Sequence, residues 1–468
     1  MSRSATAPVV AGIFFPQRLL LKLDSHAYSP KALRKIIETA GHVKSFELAA
    51  HLVELNAEIS ISGRHVNRLT QQIGAELEER RDRRTEDYVH HRRETPTAPA
   101  PGKVSVSVDG GRMNTREPGH GVGVHEAGWR EDKVGCLQVL EGPSFAEDPH
   151  PEPPKCFLDR EHIKQLVKGF AQQKGVRSYD APEGTSDPDL TQQTEVASAE
   201  PTSPTPGETR EANAASVSVP LADPMPDEAA KPAWPPERVQ RTCLASMANS
   251  HEFGKMLAAE AYARHFFAAG ERCFLGDGLA YNWRIQEAWF PDYTGILDFT
   301  HPLSYVYLTA KAVTDSAEKT WQRYAAWMTA CWQGNVPTVV AEMREEQSKL
   351  FERLGEPVGK LPTSDARETL RRTINYLENN AKRMNYPEYR QRGLPVTSAA
   401  VESLIKEFNY RVKGTEKFWN NPDGAEPILQ VRAAVLSEDD RLANHILNRP
   451  GSPYRRPPVQ IGEAKVAA

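Results

Sequence analysis

Four acidic residues stand where an acid can do chemistry. Asp109 closes the run KVSVSV and is followed by two glycines, and Asp277 closes ERCFLG. Asp298 closes YTGIL three residues before His301, and Glu402 lies inside TSAAVESLIKEF. Carboxylates at the ends of neighbouring strands, joined by a third on a helix packed across the sheet, come within reach of one another. Hard oxygen ligands at close range are what magnesium prefers. Two such ions about 3.5–4 Å apart activate a hydroxyl nucleophile and stabilise the leaving oxygen of an in-line displacement. Taken singly, each acid has a plainer reading. Asp109 and Asp277, each before glycine, suit turns; Glu402 suits a solvated helix face behind a Ser398 cap, and His301 a satisfied structural histidine. The joint placement is what points to a metal site.

These acids need strands and helices to hold them. Val104, Val106 and Val108 alternate with polar residues, a strand signature, and KVGCLQVLEG forms a second strand around Val134 to Leu140. EFGKMLAAEAYARHFFAAG reads as an amphipathic helix closed by Gly270. ERCFLGDG is then a short buried strand, a helix surrounds Trp283–Trp289, and YTGILDFTH is another strand. After His301 the chain is helical for about a hundred residues, with Trp321, Trp327 and Trp332 at core positions. Upstream, KALRKIIETAG, SFELAAHLVELN and SGRHVNRLTQQIGAELEERR show apolar residues at three- and four-residue spacing. Ser62 caps the last of these, giving a helix-turn-helix outline. Arg64, His65 and Arg68 then lie near the start of the second helix, where base edges of DNA are reachable. An ordinary helical hairpin has the same outline.

The chain has 468 residues, room for about three domains, with 39% hydrophobic residues and 36 prolines. No run of about 18 apolar residues exists, so no transmembrane helix is expected. The opening MSRSATAPVVAGIFF lacks the signal-peptide pattern. Five cysteines form no CxxC pair, which argues against a zinc ribbon or disulfide framework and for free thiols in a reducing cytoplasm. Net charge is -4, but residues 179–236 hold eleven acids against two bases, so they carry -9 and the rest of the chain +5. A mildly basic body is compatible with a phosphate-binding surface. The same stretch holds eleven prolines and little to bury, and reads as a disordered insert.

The order of elements is strand with Asp, further strands, helix, strand with Asp, helix, strand, helical insertion, helix with Glu. That is the connectivity of an α/β RNase H-like catalytic core. The residues also carry a family resemblance. VSVDGGRMNTR with WREDKVGCL resembles the first-aspartate block of ISKra-type insertion-sequence transposases, which are related to Mutator-like families. FLGDGLAYNWRIQEAWFPDYTGILDFTHPLSYVY resembles their second block, and NYPEYRQRGLPVTSAAVESLIKEFNYRVKGTEKFWNNPDGAEPILQVRAAVL the third. The match runs from about Lys103 to Leu442 without the insert.

The resemblance implies a DDE transposase with catalytic and metal-binding Asp109, Asp277 and Glu402. Asp298 and His301 match an Asp-x-x-His signature, with Asp298 an alternative second acid. It implies two Mg2+ ions, with Mn2+ able to substitute, and double-stranded DNA partners: the element's terminal inverted repeats and target DNA. A homo-oligomeric synaptic complex follows from the mechanism, with no membrane partner and a cytoplasmic, nucleoid-associated location. Arg112 and Arg116 behind the first acid, and Lys406, Arg411, Lys413, Lys417 and Trp419 behind the third, suit a DNA path. The alternatives are a catalytically silent DNA-binding protein and a structure-selective nuclease on the same fold.

The expected organisation is an N-terminal segment (1–28), a helical DNA-binding domain (29–84) and a linker (85–102). The core follows in three parts (103–178, 237–301 and 391–445), interrupted by the acidic insert (179–236) and a helical insertion (302–390), with a frayed tail (446–468).

Overall fold

The computed structural model describes residues 28–93, 95–96, 99–118, 125–173, 234–356, 359, 361–362, 364–397, 399–412 and 424–449. Strands β1 (Lys103–Pro118) and β2 (His125–Glu141) form a long antiparallel ribbon, paired from Lys103↔Leu140 to Pro118↔His125. β3 (Glu237–Ser246) runs antiparallel to β2 on its far side. β4 (Glu271–Gly276) lies parallel to β1, and β5 (Thr294–Leu297) parallel to β4. The result is one mixed five-stranded sheet of order β3-β2-β1-β4-β5, and the chain is an α/β protein.

The valines of β1 do what their alternation predicts. Val104, Val106 and Val108 are buried in the largest apolar cluster, while Ser105 and Ser107 face the other way, Ser105 Oγ donating to Gln138 at 3.1 Å. β3 is the element that the sequence pattern does not reveal. Its first three residues are exposed and only its second half is buried, so no clean alternation marks it. It returns to the sheet only after the long insert.

Among the described residues three helices precede the sheet: α1 (Pro30–His42), α2 (Phe46–Ala57) and α3 (Gly63–Val89). Leu33, Ile36, Ile37 and Ala40 fall on one face of α1 and are buried. Each large apolar side chain of this kind contributes roughly 1.5–3 kcal/mol. Ser62 caps α3 as expected, its Oγ accepting from His65 N at 3.3 Å. Gly63 lets α2 approach closely, since a Cβ there would lie 2.3 Å from the Glu47 carboxylate.

α4 (Arg160–Gln173) precedes the insert; α5 (Ser250–Ala263) and α6 (Ala280–Trp289) pack on the Val106 face of the sheet. A helical group follows β5: α7 (Thr300–Val313), α8 (Ala317–Trp332), α9 (Val336–Leu354), α10 (Ala366–Asn380) and α11 (Tyr386–Gln391). Trp327 and Trp332 are buried here as core residues, and Trp321 is partly buried. The chain ends in α12 (Ala399–Val412), α13 (Ala425–Leu436) and α14 (Arg441–Leu447).

The N-terminal helices do not form a separate domain. Val431 and Ala434 of α13, with Leu442 and Ile446 of α14, complete the core of α1–α3. α3 runs to Val89, beyond the expected boundary at 84, and crosses α13 so closely that a Cβ on Gly74 would meet Pro427 O at 2.1 Å. Arg432 Nη1 donates to Gly41 O at 2.7 Å and closes the end of α1. Among the described residues no helix is long and apolar enough to cross a membrane. All five cysteines are free thiols, four of them buried.

Candidate active site

The register of the parallel strands decides which acids meet. Ser107 pairs with Leu275, so two residues further on Asp109 and Asp277 stand level at neighbouring positions. Gly276 pairs with Leu297, so Asp277 and Asp298 are level in turn. Adjacent strands lie roughly 4.8 Å apart, which places Asp277 one strand from Asp109 and Asp298 two strands away. The pleat puts all three positions on one face of the sheet.

That face is covered at β1 and β2 by α12. Asp109 lies opposite Val134, and Val134, Cys136 and Met113 are buried against Val401, Leu404, Phe408 and Val412 of α12. Glu402 follows Val401 in this helix, so its backbone lies over the Asp109 side of the sheet. The side chain of Glu402 lies outside the described residues. Among the described residues, no group of three or more His, Cys, Asp or Glu is arranged to hold a metal ion.

Each aspartate is held differently. Asp109 is half-buried in mid-strand, and its Oδ1 accepts from Gly110 N at 2.7 Å. Asp277 is 4% exposed, with Oδ1 accepting from Leu279 N at 3.0 Å and from Asn282 Nδ2 at 2.8 Å. Its carbonyl accepts from the Tyr376 hydroxyl at 3.1 Å. Gly278 makes this turn possible at φ +95, where a Cβ would also sit 2.7 Å from the Tyr376 ring. Asp298 is fully buried, and its Oδ1 accepts from Thr300 N at 2.8 Å and Thr300 Oγ1 at 2.9 Å. It thus holds the first residue of α7 from one position before the Phe299 cap. His301 Nε2 stands 4.0 Å from Asp298 Oδ2, so the Asp-x-x-His pair is a neighbouring couple in space.

Two residues join the site that sequence patterns did not single out. Asn282 is wholly buried on the first turn of α6 and orients the Asp277 carboxylate. The DGLAYN spacing, with an amide five residues after the acid, is the available signal. Asp132 is buried on β2 opposite Gly111, two residues beyond Asp109; a Cβ at 111 would lie 2.7 Å from its Oδ1.

The basic residues divide. Arg64 and Arg68 are exposed on the first turns of α3, and Arg68 Nη2 lies 3.0 Å from His65 Nδ1, with His65 edge-on to Tyr28. Lys406 is exposed on α12. Arg411 is not on a surface path: it is 3% exposed, donates from Nε to Ala40 O at 2.9 Å and from Nη1 to Lys44 O at 3.3 Å, and lies over the Phe46 ring. Burial, and then the nearby Arg432, push its pKa down to about 10. Its role is to fasten α12 to the loop after α1. Arg112 and Arg116 lie on β1 with side chains outside the described residues, as are Lys413, Lys417 and Trp419 altogether.

Compared with models of known protein families and with curated proteins, the chain matches none.

Proposed function

We propose that this protein is a metal-dependent DDE transposase with an RNase H-like core, in which Asp109, Asp277 and Glu402 form the catalytic acid set. The observation that carries the reading is the strand register, which brings Asp109 and Asp277 level on adjacent parallel strands beneath the helix that bears Glu402. The strand order, three antiparallel strands followed by two parallel ones, supports the same core.

The donor set is hard oxygen, which fits magnesium. Asp109 and Asp277 would hold it together with Glu402, and the metal would supply the electrostatics that lower the barrier to phosphodiester cleavage and strand joining. The chain's own work is positioning. Asn282 and the Leu279 amide fix the rotation of Asp277, and Tyr376 fixes the backbone behind it. Between the two candidate second acids, Asp277 is preferred, because it follows β4, which adjoins β1, whereas Asp298 follows β5, a strand further away. The exposed Arg64 and Arg68 at the start of α3 support a DNA-reading role for that helix, directed at the element's terminal repeats. Assembly on two DNA ends calls for a homo-oligomer.

The test is strand transfer on labelled element-end DNA with Mg2+, comparing wild type with Asp109→Asn, Asp277→Asn, Asp298→Asn and Glu402→Gln. Cutting and joining by wild type, lost in the first, second and fourth variants while DNA binding persists, supports the proposal. End binding without cutting in Mg2+ or Mn2+ makes the silent DNA-binding reading the better one. Cutting of branched DNA without joining makes it a nuclease.

A further inference from the structure

A second charged site lies on the opposite face of the sheet from Asp109. A cavity of about 560 Å³ opens between the second half of α3, β3, α5 and α14. Val139 and Leu244 form part of its floor, and both belong to the Val104 face of the sheet.

Its walls carry Arg80 and Arg84 from α3, Arg264 following α5, and Arg441 from α14, with Glu260 and Asp439 as the counter-charges. Glu260 is the hub. It is 4% exposed, it pairs with Arg84, and Arg264 and Arg441 reach it at 2.8 and 2.7 Å. Burial opposes its charge, but Arg264, Arg84 and Arg441 together hold its carboxyl well below the usual range. Asp439 pairs with Arg264, and with Arg441 at 2.8 Å. Arg81 also lines the cavity but is neutralised by Glu426 and Asp82.

With Arg81 and its two partners counted, five guanidinium groups face four carboxylates, a surplus of one positive charge around the cavity. Arg80 makes no ion pair with a described residue. It is exposed to solvent at the cavity's edge, where an anion can reach it. Arginine forks match phosphate oxygens two at a time, and a cavity this size admits more than a single small ion.

We propose that this arginine-lined cavity binds a phosphate group, either on a nucleic-acid backbone or on a small phosphorylated ligand. The site stands on the far side of the sheet from the acids, so it does not depend on the transposase reading.

The experiment is calorimetric titration of the full chain with pyrophosphate in EDTA, which keeps divalent metal out of the carboxylate site. Wild type should bind at one saturable site. Arg80→Ala should weaken binding about tenfold, the scale of one lost charge-assisted contact, because Arg80 has no structural ion pair to break. Arg80→Lys should recover part of the loss, and Arg353→Ala, an exposed arginine on α9 away from the cavity, should change nothing. Displacement of bound pyrophosphate by a short DNA duplex assigns the site to nucleic-acid phosphates. Retention in the presence of duplex assigns it to a small phosphorylated ligand. No saturable pyrophosphate binding, or equal affinity in Arg80→Ala, overturns the proposal.

Discussion

The ends of β4 and β5 are neighbours built from the same local idea, yet they serve different ends. At both, an aspartate just past the strand accepts a backbone N–H two residues on: Leu279 N for Asp277, Thr300 N for Asp298. At β5 that bond, with the Thr300 hydroxyl, ties Asp298 to the first residue of α7, and both contacts come from one residue two positions on. At β4 the turn needs a left-handed glycine, a buried Asn282 and a tyrosine from α10 nearly a hundred residues away. The second arrangement costs backbone freedom and buried polar groups, and it yields a carboxylate of fixed orientation beside Asp109. The Asp298 contacts are local, to Thr300 and the neighbouring His301. Asp277 is held in addition by a side chain of α6 and, at its carbonyl, by one of α10, as the proposed acid role requires.

The largest expected effect separates the two turns directly. Asp277→Asn keeps the oxygen that accepts from Leu279 and Asn282, so folding should be unchanged while strand transfer falls by a factor on the order of 10³. A melting temperature within error of wild type, together with the rate loss, is the required pair of readings. Equal rates would remove Asp277 from the acid set.

Asn282→Ala should sharpen the contrast at a smaller scale. Removing a group that orients a metal-binding carboxylate costs about 10–100-fold in metal affinity or activity. The metal concentration for half-maximal cleavage should rise, and a loss of rate with no change in metal dependence would point to a packing role instead.

Gly278→Ala tests the backbone half of the argument. A side chain there meets both a φ of +95 and the Tyr376 ring, so denaturant unfolding should show a loss of about 1–3 kcal/mol. A neutral substitution would mean that Tyr376 and the turn move apart freely.

The smallest effect is expected from Asp298→Asn, because asparagine keeps the oxygen that accepts from Thr300 N and Thr300 Oγ1. Strand transfer should stay within severalfold of wild type. A rate loss as deep as that of Asp277→Asn would exchange the roles of the two turns.

Much of this was legible in the residues themselves. The alternating valines before Asp109, the Asp277-Gly278 turn, the Ser62 cap and the apolar spacing of α1 are properties of contiguous residues. Period and capping chemistry act over a few positions, and the chain states them directly. Asp277 and Asp298, each closing its own apolar run, do follow strand ends, whereas β1 runs on past Asp109 to Pro118, which the glycines behind that acid did not announce.

Other features depended on residues hundreds of positions apart. β3 has a weak pattern and gains its place by pairing with β2 across the insert. Arg411 reads as one more cation after Glu402, but the carbonyls of Ala40 and Lys44 are brought to it by the packing of α1 against α13. The union of the N-terminal helices with the core rests on Gly74 meeting Pro427, a contact that no local pattern announces. Asn282 and Tyr376 gain their meaning only when β4 is set beside β1. The sequence by itself determined the strands, caps and turns, because these follow from short-range sterics and periodicity. Only the tertiary structure decided which charges are buried, which are paired and which face a cavity, because desolvation and ion pairing depend on what the rest of the chain brings to the same place.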